Sequence, residues 1–168
     1  SPFPNGREAR LSGIEEIDLG AGDDVLDMNH PSFSYTDDII VRGGAGNDVI
    51  WTDQGDDTLD GGAGADRLDG GAGADTATYD GSAAGVTVNL TTGRGSGGDA
   101  QGDSLYGVEN LMGSDHADTL TGSADANTLT GGAGNDTLQG LGGNDLMIGG
   151  AGSDRFVIGE ADGDNMVK

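Results

Sequence analysis

Residues 131–157 read GGAGNDTLQ, GLGGNDLMI, GGAGSDRFV: three nine-residue units in which Gly, Asp and a large apolar residue return at fixed places. Working back from Gly131, the same phase covers 113–121 (GSDHADTLT) and 122–130 (GSADANTLT). Upstream, a second run keeps a nine-residue phase of its own through GGAGNDVIW at 43–51, TDQGDDTLD at 52–60, GGAGADRLD at 61–69 and GGAGADTAT at 70–78. The sixth position carries Asp48, Asp57, Asp66 and Asp75, then Asp118, Asn127, Asp136, Asp145 and Asp154. The eighth carries Ile50, Leu59, Leu68 and Ala77, then Leu120, Leu129, Leu138, Met147 and Phe156. Self-similarity at a fixed short period marks a repeat architecture.

The unit can be read physically. Gly at the first, second and fourth positions permits positive φ and close backbone approach, so each GGxGx stretch is a tight turn. The apolar residue with one neighbour on either side is too short for a helix and reads as a short strand with one inward side chain. Turn, strand, turn, strand then winds into coils of two repeats, stacked at the strand spacing of roughly 4.8 Å. Asp residues two repeats apart lie above one another. Unscreened, such like charges repel by on the order of 1–4 kcal/mol per pair. A divalent cation between the turns reverses that sign.

Composition agrees. Leu, Ile, Val and Phe supply only 31 of the 168 residues, while 30 acidic residues against 7 basic ones give a net charge of −23. Few aliphatics and a large net charge mark a chain that cannot fold unaided. So acidic a protein repels the phosphate backbone that dominates nucleic-acid binding, which excludes that partner class. No apolar run reaches the roughly 18 residues of a membrane span, and no N-terminal signal peptide is visible. Without Cys there are no disulfides or thiolate sites, and the carboxylates point to a hard cation as the staple.

These repeats resemble the G-G-x-G-x-D-x-U-x pattern of RTX, or hemolysin-type calcium-binding, proteins. The resemblance implies an all-β, right-handed parallel β-roll solenoid with several Ca²⁺ ions in its turns, interrupted by a short strand and loop insert. It further implies that one turn gives carbonyls at its second and fourth positions, the turn two repeats on gives those at its first and third, and both give their Asp. Carried over, Gly44, Gly46 and Asp48 face Gly61, Ala63 and Asp66. Asp53, Gly55 and Asp57 face Gly70, Ala72 and Asp75. In the second array Ser114, His116 and Asp118 face Gly131, Ala133 and Asp136; Gly132, Gly134 and Asp136 face Gly149, Ala151 and Asp154. Gly140, Gly142 and Asp145 face the turn of Asn127, which brings one carboxylate fewer, so that site should be weak or empty. Asp53 stands where Gly is expected and should strain its turn; His116 replaces a fourth-position Gly.

Four segments follow from the phase: a first roll module over 1–78, a connecting segment over 79–112, a second module over 113–158, and the start of a further unit over 159–168. Val86, Val88 and Leu90 alternate as a half-buried strand, and Thr91–Gly98 reads as a Gly/Ser loop. Residues 98–106 regain one degenerate repeat, with Asp103 sixth and Leu105 eighth. LSGIE at 11–15 aligns with LYGVE at 105–109 at a constant offset of 94, which also sets Ile17, Asp24 and Leu26 on Leu111, Asp118 and Leu120. This echo, and the absence of a recognisable terminal cap or secretion signal, leads to the expectation of a longer parent polypeptide.

Nothing in the sequence makes a singular catalytic constellation. The Asp residues recur at every turn rather than forming one acid–base pair, no Ser lies in G-x-S-x-G, and His30 and His116 are isolated loop residues. Trp51 and Tyr79 are read as roll-edge packing rather than a sugar platform, and Glu8, Glu15, Glu16 and Asp99 as solvated surface. The sequence is therefore read as a non-catalytic calcium-binding module of a large secreted protein, extracellular or cell-surface, folding on Ca²⁺ outside the cell as a spacer or folding nucleus. Its other expected partner is the type I secretion apparatus, engaged through a C-terminal segment expected to follow Lys168 in the longer parent polypeptide. The alternative is an accessory module of a secreted carbohydrate-active enzyme or protease, with a glycan or protein ligand as a further open partner.

Overall fold

The computed structural model of the chain describes residues 13–29, 35–159 and 162–168. Leu11, Glu8 and His30 lie outside them. In chain order the strands are β1 (Glu16–Asp18), β2 (Val25–Asp27), β3 (Ile40–Ala45), β4 (Val49–Trp51), β5 (Thr58–Ala63), β6 (Arg67–Asp69), β7 (Thr76–Thr78), β8 (Thr87–Asn89) and β9 (Arg94–Ser96). There follow β10 (Ser104–Tyr106), β11 (Asn110–Met112), β12 (Thr119–Thr121), β13 (Thr128–Ala133), β14 (Thr137–Gln139), β15 (Leu146–Ala151), β16 (Arg155–Val157) and β17 (Met166–Val167).

They form two sheets of a β-roll. One runs β1-β3-β5-β7-β11-β13-β15-β17, the other β16-β14-β12-β8-β9-β10-β6-β4-β2, and pairing is parallel except around β9. Successive repeats alternate between the sheets, so residues two repeats apart pair: Leu59 with Ala77, Ile50 with Leu68, Leu129 with Met147, Leu138 with Phe156. The echo at offset 94 is structural too, since β1 and β11 lie in one sheet and β2 and β12 in the other.

The period-2 pattern explains the core. In strands of the regular repeats the eighth-position side chain points inward and its neighbours lean outward. Val41, Leu59, Ala77, Leu111, Leu129 and Met147 from one sheet meet Ile50, Leu68, Leu105, Val88, Leu120 and Leu138 from the other, all buried. This is a column one side chain wide. Each such burial is worth about 1.5–3 kcal/mol, and it must hold nine residues in place.

The insert is where the sequence reading needs correction. The stretch taken as a Gly/Ser loop contains β9, which runs antiparallel between β8 and β10. Between β6 and β12 one sheet therefore carries β10, β9 and β8, whereas the other carries only β11 between β7 and β13. The strand Arg94-Gly-Ser has no apolar alternation, so only its pairing reveals it. Tyr79 is likewise not at the edge of the roll. It is 1% exposed inside it, beside Val86 and Ala100 in the buried cluster.

Candidate metal centre: the stacked turns

Turns two repeats apart stack in register. Gly44 pairs with Gly62 and Ala45 with Ala63; Gly132 pairs with Gly150 and Ala133 with Ala151. The approach is so close that a Cβ on Gly62 (φ 79°) would collide with the Gly44 carbonyl oxygen, and one on Gly150 (φ 95°) with that of Gly132. That is the physical reason for the second-position glycines. Asp53 adopts no positive φ, so the strain expected there is absent; it falls instead on Leu141, also in the second position, at φ 71°.

The sixth-position carboxylates form an inner ladder. Asp66 Oδ1 accepts the Asp48 N–H at 2.8 Å, Asp75 Oδ1 that of Asp57 at 2.8 Å, Asp136 Oδ1 that of Asp118 at 2.9 Å, and Asp145 Oδ1 that of Asn127 at 2.9 Å. Asp154 Oδ1 accepts the Asp136 N–H at 3.1 Å. The assigned turn pairs are thus neighbours in every case. Gly46 and Gly134 donate to the Ala63 and Ala151 carbonyls; Gly55 donates to Ala72, while Ala72, Ala133 and Gly142 donate to the Asp53, Ser114 and Ser123 carbonyls. Each of these accepting oxygens keeps a second lone pair.

The other carboxylate oxygen decides what the turns can hold. Oδ2 of Asp48, Asp66, Asp75, Asp136 and Asp145 is buried without any hydrogen-bond partner. Native proteins rarely leave a buried polar atom orphaned, and an ionised one least of all. A repeating row of such oxygens, flanked by backbone carbonyls, is an all-oxygen donor set of the kind hard cations take. The residues present fit calcium.

The RTX calcium-binding nonapeptide repeat model matches residues 37–77, 104–138, 112–147, 121–156 and 130–164, together more than half of the chain. The chain belongs to the RTX calcium-binding repeat family. No curated protein matches it.

Several positions of this RTX roll depart from its regular pattern. Asp118 receives the Ser114 N–H at 2.6 Å and the Ser114 hydroxyl, while its Oδ1 also takes the Val86 N–H. Asn127 is used on both ends: Oδ1 accepts the Ser123 N–H at 2.7 Å and Nδ2 donates to the Glu109 carbonyl. His116 donates its N–H to Ser114 Oγ, which shapes that turn without a fourth-position Gly. At the insert Asp103 stands over Asp66 and accepts its N–H, but its second oxygen accepts the Tyr79 hydroxyl at 3.1 Å. A buried hydroxyl there satisfies the oxygen that stays orphaned in the regular turns.

The offset-94 echo had set Asp24 and Leu26 on Asp118 and Leu120; the structure completes that unit, and it adds a ladder that sequence reasoning passed over. Leu19–Asp27, LGAGDDVLD, is a repeat whose first Gly is replaced, and Asp24 sits on Asp48, giving its N–H to Asp48 Oδ1 at 2.8 Å. The G-x-G-x-D-x-L spacing was the available signal. The fifth position, variable in the pattern, makes an outer ladder: Asn47 Oδ1 accepts the Ala65 N–H, Asp56 the Ala74 N–H, and Asn135 the Ser153 N–H. Fifth- and sixth-position amides are thus satisfied by side chains from opposite directions. Of the residues read as surface, Glu15 and Glu16 are exposed and Asp99 is half-buried. Trp51 lies on the outer face of its sheet, where Arg67 sits 5.5 Å from its ring centre and 4.3 Å from that of Tyr106.

Burial pushes the carboxyls of Asp66 and Asp75 up to about 7 and that of Asp103 to about 6, against an ordinary 3.8, with neighbouring carboxylates adding to the rise and backbone hydrogen bonds opposing it. Asp136 and Asp145 are raised for the same first reason. Because the folded form binds protons more tightly than the unfolded one, protonation favours folding. That contribution is full below the ordinary value and is lost as pH rises through about 7. Calcium-free chain should therefore gain β signal by circular dichroism as pH is lowered from about 8 to about 5, whereas calcium-bound chain should lose ions over the same range because protons compete for its ligands. A chelated chain that gains no β signal on acidification would contradict this.

Proposed function

We propose that this chain is a non-catalytic calcium-folded module of a type I-secreted protein, extended and charge-repelled before export and locked into a roll by Ca²⁺ outside the cell. The row of orphaned Asp oxygens, one coil above another, carries the reading. Ions would sit between the turn pairs of Asp48 with Asp66, Asp57 with Asp75, Asp118 with Asp136, and Asp136 with Asp154, coordinated by those carboxylates and the carbonyls assigned above. The rigid roll then serves as spacer or folding nucleus for what it is joined to. Among the described residues no helix is long and apolar enough to cross a membrane, which is compatible with that role.

Equilibrium dialysis tests the metal. Several Ca²⁺ ions should bind per chain, and Mg²⁺ should fail to displace them at similar concentration, because it demands near-octahedral geometry and dehydrates reluctantly. Absence of calcium binding, or equal competition by Mg²⁺, would overturn the reading.

A further inference from the structure

The coil above Asp75 is not built by a nonapeptide. Six residues, 70–75, turn the chain from β6 to β7, but only Gly107, Val108 and Glu109 turn it from β10 to β11, and β11 pairs directly with β7. This short turn nevertheless reproduces the oxygen positions of the regular ones. Glu109 Oε2 accepts the Asp75 N–H at 2.9 Å, the role that Asp75 Oδ1 plays for Asp57 at 2.8 Å. The extra methylene of Glu spans what the shorter turn leaves open. The Gly107 carbonyl oxygen stands against Gly70 as the Gly61 oxygen stands against Gly43 and the Gly131 oxygen against Gly113. The Gly71 carbonyl oxygen lies 3.0 Å from the ideal Cβ position of Gly107.

Between these groups lies Asp75. It is 0% exposed; one oxygen is engaged by Asp57 and the other is buried without a partner. Two carboxylates and two carbonyl oxygens thus line the stacked turns where a coil outside the repeat pattern meets the first array. We propose that Asp75, Glu109 and the carbonyls of Gly71 and Gly107 form a further calcium site at this junction. It rests on the calcium reading of the regular turns and adds a ligand, Glu109, that the nonapeptide pattern does not contain. Such a site ties the first array to the coil that resumes the roll after the insert.

Glu109→Gln keeps an oxygen to accept the Asp75 N–H and removes the charge. Counted by equilibrium dialysis at a calcium concentration that saturates the native chain, it should bind one ion fewer while its far-UV spectrum stays native. Val108→Ala alters the packing of the same turn without touching an oxygen and should keep the full count. An unchanged count and affinity in Glu109→Gln would overturn the assignment. So would loss of an ion in Val108→Ala, since packing and not the carboxylate would then govern the count. Failure of the native chain to bind calcium at all would instead strike the functional reading on which this one rests.

Discussion

Stripped of calcium by excess EGTA at neutral pH, the chain should give the far-UV circular dichroism of a disordered polypeptide, and millimolar Ca²⁺ should restore a β spectrum. The expected effect is the whole fold. A core one side chain wide draws on only 31 large aliphatic and Phe residues in 168, and a charge of −23 opposes compaction. An ion that binds only the folded form stabilises it by about 2.7 kcal/mol per independent site at a hundredfold excess over Kd, and several sites add. Raised Asp values act in the same direction: at neutral pH the metal-free turns hold carboxylates that burial resists ionising. A β spectrum indifferent to the chelator, after confirmed metal removal, would refute this account.

The second large effect is an inequality between neighbours. Asp136 accepts the Asp118 N–H, gives its own N–H to Asp154, and holds an orphaned oxygen between two turns that both carry Asp. Asp145 has amides on both sides: it accepts the N–H of Asn127, whose side chain is already committed, and gives its own to Asn165 Oδ1 at 2.8 Å. Affinity for calcium follows the number of charged ligands and the rigidity of the site. Asp136→Ala should therefore remove two ions in a calorimetric titration, and Asp145→Ala at most one. Stacked coils are stabilised chiefly by the coils beside them, so the first variant should also melt at clearly lower temperature in calcium. Equal or greater ion loss in Asp145→Ala would show that the register of the turns is misassigned.

The regular part of the roll was legible because each repeat repeats its own reason. Leu59, Leu68, Leu120, Leu129 and Leu138 announce one inward side chain per strand, and Asp48, Asp66, Asp75 and Asp136 announce a carboxylate per turn. Even the degenerate repeat at 98–106 showed Asp103 as its sixth residue and Leu105 as its eighth, and the structure then set them over Asp66 and Leu68. Expectations weakened wherever one residue's conformation depends on a coil distant in sequence. Strain was expected at Asp53 and resides at Leu141, the second-position residue that takes positive φ without being glycine.

The sequence by itself determined the period, the sheet-to-sheet alternation, the inward apolar column and the identity of the repeated carboxylates, because all are set by spacing along the chain. Only the tertiary structure decided how the insert is absorbed. It placed β9 antiparallel in one sheet, set the Tyr79 hydroxyl on Asp103, and brought Glu109 across 34 residues to the Asp75 amide. It also exposed the outer ladder through Asn47, Asp56 and Asn135. These are contacts between coils, made once the stack exists. Partners around the insert follow no period, so no reading along the chain could pair them; the ladder partners lie 18 residues apart, but at a position the pattern leaves variable.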